Sequence, residues 1–367
     1  MVMVITPQIV PRSELGKYMA IISSVFALSS ILGPVIGGAI TSHPKEWRWV
    51  FLLNAPAGAV AILILAIFLP SSSTDTKFIS RIRARFSQAS WKRVDFVGAF
   101  LLLTASVLLV FALEEAGSRY PWDSAAILST LIIAGICWIA FPFWEHHVEA
   151  STKSNQEPVF PMRLLKDRIL FGMMVNAFFT GFPFMVIIVN LPQRFQAVNN
   201  FSPFRAGIYL LPLLLSSPFA SGLCGYLVSK LKIPPFYLII SGAALQLLGI
   251  CLLGSLDETT PPMKVDSKVL GYEVIVGFGF GTGLSTLLIM TPLVVQEKDM
   301  AVAMGAITQI RVLGGTLGLA ICSTILNNHL HSELATVLTP QQEHLISEST
   351  SNIAKLSPEQ QNSPSVF

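Results

Sequence analysis

Charged side chains are scarce in this chain, and their scarcity excludes a soluble globular fold. Of the 367 residues, 12% are charged and 52% are hydrophobic, whereas soluble domains carry about 25% charged residues. Too few charges remain to cover a surface that faces water, so lipid must be the main solvent. The composition therefore predicts an integral membrane protein without a soluble catalytic domain.

Cysteines and catalytic motifs are equally scarce. The four cysteines lie inside apolar segments, at spacings that match neither a zinc site nor a disulfide framework. The sequence contains no P-loop, no dinucleotide fingerprint and no nucleophile–base arrangement. We therefore predict no enzyme activity, no cofactor, no metal site and no nucleic-acid partner. Without an ATP site, any transport would have to draw on an ion gradient.

Nine apolar runs are long enough to cross a bilayer, which takes about 20 mostly apolar residues in a helix. Apolar residues run continuously rather than at every second position, so the pattern predicts helices and not a β-barrel. The predicted spans are residues 18–40, 49–69, 95–113, 125–144, 169–190, 207–228, 236–256, 272–292 and 303–326. Arg311, in the last span, is the charge that lies away from the span ends.

The positions of Lys and Arg predict an orientation. With the N-terminus in the cytosol, most of these residues fall in cytosolic connections, above all in the basic loop 71–94. That loop either lies on the anionic inner leaflet or serves as a topology signal. The tail, 331–367, is rich in Ser, Gln and Glu without an apolar face, so we expect it to be disordered. Asn200 begins a weak N-x-S glycosylation sequon on the outer side, followed closely by Pro203.

Small residues line the first span. The residues that mark this face are Ser29, Gly33, Pro34, Gly37 and Gly38. Residues four apart share a helix face, and a face without side-chain bulk lets a neighbouring helix approach closely. Pro34 removes one backbone hydrogen bond and bends the helix there. The pattern indicates either a specialised packing face or the general small-residue seam of many membrane bundles.

This span resembles the antiporter signature of the major facilitator superfamily, G-x8-G-x3-G-P-x2-G-G, with Ala20 and Ser29 in place of its first two glycines. Residues 47–58 resemble the W-R-W-x-F-x-x-N-x-P-x-G segment that follows the signature in fourteen-span drug:proton antiporters. Further resemblances lie at residues 95–98, 120–124, 271–273 and 311–318. The ordered series looks most like the fungal members that export toxins and secondary metabolites.

The resemblance implies an all-α helical bundle of the major-facilitator type. It also implies a secondary transporter that exports small organic molecules (toxins, drugs or secondary metabolites) by alternating access, coupled to a proton gradient. Aligned in this way, the chain lacks the family's first four spans and its last. A truncated non-transporting membrane protein, an incomplete gene model of such a transporter and an uptake symporter of the same fold remain alternatives.

The same alignment divides the chain into four parts. Residues 1–70 would be a remnant of the N-terminal helical bundle, with two spans. Residues 71–168 would hold the basic cytoplasmic loop and two linker spans, and residues 169–330 the C-terminal bundle of five spans, followed by the disordered tail. The expected partners are the lipid bilayer and a small organic substrate. The plasma membrane is the expected location, with a vacuolar or vesicular membrane as the alternative, and the oligomeric state does not follow from the sequence.

Polar residues inside the spans are the candidates for a transport path. They are Asn176, Thr180, Glu273, Gln309 and Arg311. A buried charge costs about 2.5–3.5 kcal/mol on insertion scales, so it usually faces a cavity or a partner. Arg311 either faces the central cavity or snorkels to the interface, and Glu273 either lines the path or caps a helix start. The remaining three either bind substrate or join neighbouring helices by hydrogen bonds.

Glycines spaced by four recur in the last two spans. The pairs are Gly277 with Gly281 and Gly314 with Gly318. Such pairs let two helices cross at short distance. They would permit either rocking of one helix on another or tight static packing.

Overall fold

The structure, a computed structural model, describes residues 6, 10, 14–41, 48–68, 94–116, 120–151, 156–197, 199–256 and 265–334. Over these residues the chain is helical, with two isolated β-bridges, which confirms the predicted all-α fold. The helices are α1 (Leu15–Thr41), α2 (Trp49–Leu52), α3 (Asn54–Phe68), α4 (Phe96–Glu115), α5 (Ala125–Ala150), α6 (Arg168–Ala197), α7 (Pro203–Tyr209), α8 (Leu211–Ser229), α9 (Pro235–Gly254), α10 (Ser267–Val294) and α11 (Met300–Leu334). Short 3₁₀ turns, Met162–Lys166 and Glu297–Asp299, precede α6 and α11.

Seven helices are long and apolar enough to cross a membrane, counting α7 and α8 as one span, Pro203–Ser229. This confirms a multi-pass membrane protein. The first two predicted spans correspond to α1, which has 27 residues, and to a shorter apolar helix, Trp49–Ile64. The basic loop 71–94 lies outside the described residues except for Val94, and so does the tail 331–367 except for the four residues that end α11.

Side-chain caps mark where two of the helices begin. The Ser124 hydroxyl accepts a hydrogen bond from the Ile127 amide at 3.3 Å at the start of α5. The Asp266 carboxylate accepts one from the Lys268 amide at 3.0 Å at the start of α10. Each such cap contributes about 1 kcal/mol to the helix it begins.

Helix α10 lies at the centre of a bundle that α6, α8, α9 and α11 complete. α8 and α9 pack on α10, and α6 packs mainly on α11. Of the most apolar window of α10, 78% is buried inside the protein, compared with 17% in α4 and in α5. The apolar residues of α10 therefore contact protein, whereas those of α4 and α5 are left to contact lipid.

Helices α4 and α5 form a hairpin on the outside of this bundle. The two helices pack on each other, and α4 also contacts α11. Apolar side chains such as Phe100, Ile132 and Phe143 are exposed on it, as expected of a lipid-facing surface. At the other side of the bundle, α1 packs against α7 and α8.

Candidate functional site

Glu273 lies inside the bundle, seven residues into α10, and is 0% exposed. Neither of its carboxyl oxygens has a hydrogen-bond partner among the described residues. The backbone amide of Leu213 approaches the carboxyl group, but without the alignment of a hydrogen bond. A buried acidic group with no fixed donor is rare in a membrane span, and by default it indicates a functional site.

The span that faces Glu273, Pro203–Ser229, is interrupted after its first seven residues. α7 ends at Tyr209 and α8 begins at Leu211, with Leu210 between them at φ −80° and ψ −10°. Pro212 lies in the first turn of α8 and supplies no N–H group. The break places the positive end of the α8 dipole, including the Leu213 amide, beside the Glu273 carboxyl group.

Arg311 lies on the same side of α10 as Glu273, two helical turns away. Its guanidinium carbon is 5.9 Å from the centroid of the Phe280 ring, and Phe280 follows Glu273 by seven residues and so shares its helix face. Phe280 also stacks on Phe184, with ring centroids 3.3 Å apart. Arg311 is 8% exposed, so its side chain is held inside the bundle. We call Glu273, Phe280, Phe184 and Arg311 the acid–base seam.

One of the predicted polar residues, Thr180, takes part through its backbone carbonyl in a hydrogen bond that joins two helices. The Thr180 hydroxyl donates to the Asn176 carbonyl at 2.8 Å within α6. The Gln246 amide, on α9, donates to the Thr180 carbonyl at 3.0 Å. Asn176 Oδ1 is buried without a hydrogen-bond partner among the described residues. The contacts of Thr180 thus favour the interhelical alternative, while Asn176 keeps an acceptor available.

Gln309 lies away from the acid–base seam. It is exposed and lines an apolar cavity of about 550 Å³ between the α4–α5 hairpin and the bundle. The walls of this cavity include Trp138, Phe160 and Leu313. The predicted transport-path residues are therefore not brought together in one place: Glu273 and Arg311 share the seam, and Gln309 faces another space.

The predicted glycine pair of α10 forms its contact with α8. A Cβ atom on Gly277 would collide with the Leu213 carbonyl and the Ser216 side chain, and one on Gly281 would collide with the Ser217 carbonyl. Glycine is required at both positions because the neighbouring backbone occupies the space of a side chain.

The second predicted pair forms the contact between α11 and α6. A Cβ atom on Gly314 would lie 3.1 Å from the Phe178 Cα and closer still to its carbonyl oxygen. One on Gly318 would lie 2.8 Å from the Phe182 carbonyl oxygen. Both glycine pairs therefore lie at helix crossings where backbone meets backbone.

The residues of the antiporter-like face are placed differently along α1. A Cβ atom on Gly38 would lie 2.8 Å from the Pro203 carbonyl oxygen, so Gly38 is where α1 meets α7. No described atom lies within 4 Å of the corresponding position on Gly33 or Gly37. Ser29 is exposed, and α1 continues as a helix through Pro34. A packing role for the rest of this face stays a prediction, as does glycosylation of the exposed Asn200.

The structure contains a second buried acidic group that sequence reasoning missed. Asp95, which is 2% exposed, caps α4 by accepting a hydrogen bond from the Gly98 amide at 2.8 Å. The same Oδ1 atom accepts from the Trp144 indole at 3.0 Å and from the Gln156 amide at 3.1 Å. Asp95 belongs to the family-like segment 95–98, but its two side-chain donors, Trp144 and Gln156, lie 49 and 61 residues further along the chain and give no local signal.

Glu145 completes this cluster from the end of α5. It is 0% exposed, and its Oε2 atom accepts a hydrogen bond from the Phe160 amide at 3.2 Å. Its Oε1 atom is buried without a hydrogen-bond partner among the described residues. The one sequence signal for Glu145 is its place directly after an apolar run. A charged residue in that place is expected to be solvated, whereas Glu145 is buried.

One ion pair joins the segment between α5 and α6 to the turn that precedes α11. The Arg163 guanidinium donates to the Asp299 carboxylate at 2.7 Å, and its Nε atom lies 3.9 Å from Glu149. Arg163 belongs to the segment between α5 and α6, and Asp299 to the turn before α11. The sequence offered no pattern linking these positions.

Comparison with known proteins finds one family of membrane transporters. The sequence profile of the Major Facilitator Superfamily matches residues 1–144 and 96–319. The MFS-type transporter FPY5 of Fusarium mangiferae is 48% identical over 359 residues, or 98% of this chain. The MFS-type transporter VdtG of Byssochlamys spectabilis is 29% identical over 96% of the chain, and the efflux pump dotC of Dothistroma septosporum 27% identical over 88%. All three are named as transporters or pumps, which agrees with the prediction of no enzyme activity.

The chain spans a little over half of the length of these relatives. The matches cover 59% of the Fusarium protein, 60% of the Byssochlamys protein and 52% of the Dothistroma protein. The activities of these relatives therefore belong to proteins that are longer than this chain.

Proposed function

The chain belongs to the major facilitator superfamily, and from that premise we propose that it is a secondary transporter that exports small organic molecules. The names of its fungal relatives, which include an efflux pump, support export as the direction. We propose further that export is driven by a proton gradient and proceeds by alternating access, with secondary metabolites or toxins as the substrate class.

The observation that carries the proposal is the environment of Glu273. Its carboxyl group is fully buried, has no hydrogen-bond partner among the described residues, and lies at the interrupted span formed by α7 and α8. Such a group can gain or lose a proton without breaking a protein hydrogen bond. A proton-coupled transporter needs a site of this kind inside its helical bundle.

The acid–base seam supplies the other elements that binding of an organic molecule requires. The stacked rings of Phe184 and Phe280 offer an aromatic surface. Arg311 offers a cation on that surface. In our proposal a substrate contacts the rings and Arg311, while Glu273, two turns away, takes up the proton that is exchanged for it.

The test is efflux under an imposed pH gradient. The chain would be expressed in cells that lack their own efflux pumps, and retention of a panel of fluorescent organic dyes would be measured with the gradient intact and after its collapse by an ionophore. We expect gradient-dependent efflux, and we expect Glu273→Gln to lower the gradient-dependent part at least tenfold. Glu297→Gln, which changes an exposed carboxylate at the end of the same bundle, serves as the matched control and should leave it unchanged.

Three outcomes would contradict the proposal in different ways. Equal dye retention with and without the chain would reject transport by it. Accumulation of dye driven by the gradient would show uptake rather than export. Gradient-dependent efflux that survives in Glu273→Gln would leave transport standing and reject the coupling role of Glu273.

A further inference from the structure

Two buried carboxyl groups meet at the end of the α4–α5 hairpin, away from the acid–base seam. Asp95 precedes α4 and Glu145 lies near the end of α5. Asp95 Oδ2 and Glu145 Oε1 each lie 2.5 Å from the same point, the position that a Cβ atom would take on Gly98. The two oxygens are therefore at most twice that distance apart. Both residues are almost completely removed from solvent.

The hydrogen-bond donors around this pair are divided unequally. Asp95 Oδ1 accepts from the Gly98 amide, the Trp144 indole and the Gln156 amide, and the same indole also donates to Asp95 Oδ2 at 3.1 Å. Glu145 accepts one hydrogen bond, from the Phe160 amide on Oε2, and the Val159 amide approaches the same carboxyl group. N–H donors stabilise the ionised form of a carboxyl group. The surroundings therefore favour a negative charge on Asp95 more strongly than on Glu145.

The remaining oxygen of Glu145 provides an independent indication of a bound species. Oε1 is buried in a fully buried residue, has no hydrogen-bond partner among the described residues and faces Asp95 Oδ2. A buried acceptor without a donor is costly, and two ionised carboxylates at this distance repel each other. A single proton on Glu145 Oε1 removes the repulsion and turns the unpartnered acceptor into a donor directed toward Asp95.

We propose that Asp95 and Glu145 form a proton-binding site, in which one proton is carried on Glu145 Oε1 and donated in a hydrogen bond to Asp95 Oδ2. Proton uptake makes one O–H bond on Glu145 and leaves the pair with a single negative charge on Asp95. That charge is held by the three N–H donors already in place. The site is independent of the acid–base seam and of transport.

A metal ion fits this site less well than a proton. Hard cations such as Mg²⁺ and Ca²⁺ take six or more oxygen ligands, and Asp95 Oδ1 is surrounded by N–H groups that would repel a cation. Asp95 Oδ2 also accepts from the Trp144 indole at 3.1 Å, which leaves Glu145 Oε1 as the one oxygen of the pair without a donor among the described residues. Among the described residues, no group of three or more His, Cys, Asp or Glu side chains is arranged to hold a metal ion.

The other ionisable groups near the pair are accounted for by their own contacts. Glu149, one turn after Glu145, lies 3.9 Å from Arg163, and Arg163 is bonded to Asp299. His147 packs on the Trp144 ring, with ring centroids 6.2 Å apart, and is exposed. Neither Asp95 nor Glu145 is within ion-pair distance of a basic group in the described part of the chain.

Protonation of this site would be transmitted to the segment that leads into the bundle. Gln156 and Phe160 of that segment bond to Asp95 and Glu145 respectively. Gain or loss of the proton should therefore change how strongly this segment is bound to the hairpin.

Infrared spectroscopy of the full chain in lipid vesicles tests the site directly. A protonated buried carboxyl group has a C=O stretching band, separate from that of a carboxylate, which shifts in heavy water. We expect such a band in the wild type and loss of one component of it in Glu145→Gln. Glu149→Gln, which changes a carboxylate on the same helix, is the matched control and should keep that component. In Asp95→Asn the component should shift, because the acceptor of the proton changes from a carboxylate to an amide.

Glutamine has the shape and charge of a protonated glutamate, so Glu145→Gln should keep the wild-type helix content by circular dichroism. A spectrum of Glu145→Gln identical to that of the wild type would overturn the proposal, and so would loss of the component in Glu149→Gln. Loss of the wild-type component on adding sodium or magnesium ions would show a metal ion in place of the proton. These outcomes do not depend on any transport measurement.

Discussion

The α4–α5 hairpin and the bundle around α10 are built from the same apolar residue types, yet each handles a buried glutamate differently. In the hairpin, Glu145 lies beside Asp95 and accepts a hydrogen bond from the Phe160 amide. In the bundle, Glu273 lies beside a helix N-terminus without an aligned donor among the described residues. The first arrangement ties distant segments together, and the second leaves the carboxyl group available for exchange.

The two regions also differ in how their helices meet. In the bundle, glycines of α10 and α11 press directly on the backbone of α8 and α6. In the hairpin, Gly98 of α4 meets the side chains of Asp95 and Glu145 rather than backbone, and Gly135 of α5 has no described atom within 4 Å of the position of a Cβ atom. Stability in the bundle should therefore depend on the absence of side chains, and stability in the hairpin on the polar cluster at its end.

The largest expected effect comes from filling a helix crossing of the bundle. Gly281→Leu places a side chain against the Ser217 carbonyl, and we expect a loss of about 3 kcal/mol or more, at the upper end for overpacked sites. Gly135→Leu in the hairpin should change stability by about 0.5 kcal/mol or less. Thermal unfolding in detergent, followed by size-exclusion chromatography, measures both. Equal losses in the two variants would remove the distinction between the regions.

The next effect tests the polar cluster of the hairpin. Asp95→Ala removes the acceptor of the Gly98 amide and of the Trp144 and Gln156 side chains. We expect a loss of about 2–3 kcal/mol, because buried donors are left without an acceptor. Ser124→Ala removes a cap with a single hydrogen bond from the other hairpin helix and should cost about 1 kcal/mol. If the two variants unfold at the same temperature, the cluster contributes no more than a cap.

A smaller effect is expected for the hydrogen bond between α9 and α6. Gln246→Leu removes the donor to the Thr180 carbonyl, and such bonds between membrane helices average about 0.6 kcal/mol. Gln196→Leu, which removes a hydrogen bond within α6 itself, to the Pro192 carbonyl at 3.3 Å, is the comparison. A loss above about 2 kcal/mol in Gln246→Leu would exceed what one interhelical bond contributes and would indicate a wider polar network.

The smallest effect concerns the ion pair that joins the two regions. The Arg163 side chain is about half exposed, so Arg163→Gln should cost about 0–1 kcal/mol, and the loss should shrink as salt is added. Lys268→Gln, at a more exposed pair with Asp266 at 3.8 Å, should have no measurable effect. A loss in Arg163→Gln that salt does not change would show that the pair is shielded from solvent.

The helices could be predicted from sequence because lipid leaves the backbone few alternatives. The predicted span 236–256 corresponds to Pro235–Gly254, and the glycine pairs of α10 and α11 were found by their spacing alone. Partners of those glycines could not be predicted, since a spacing of four identifies a face and not its neighbour. The arrangement of Asp95, Glu145 and Gln156 could not be predicted either, because packing brings them together across 61 residues of chain. The sequence left two positions possible for the Arg311 side chain, and its contact with Phe280 shows that it lies inside the bundle.

The glycines of α10 also bear on how this chain can vary genetically. Every single-nucleotide change in a glycine codon that alters the amino acid introduces a Cβ atom. At Gly277 and Gly281, where carbonyl oxygens of α8 already occupy that space, even alanine is too large. A saturation-mutagenesis map of the gene should therefore contain two codons at which no missense variant is tolerated. Gly271 lies six residues before Gly277 on the same helix and is open around its Cβ position, so its codon should accept most missense variants.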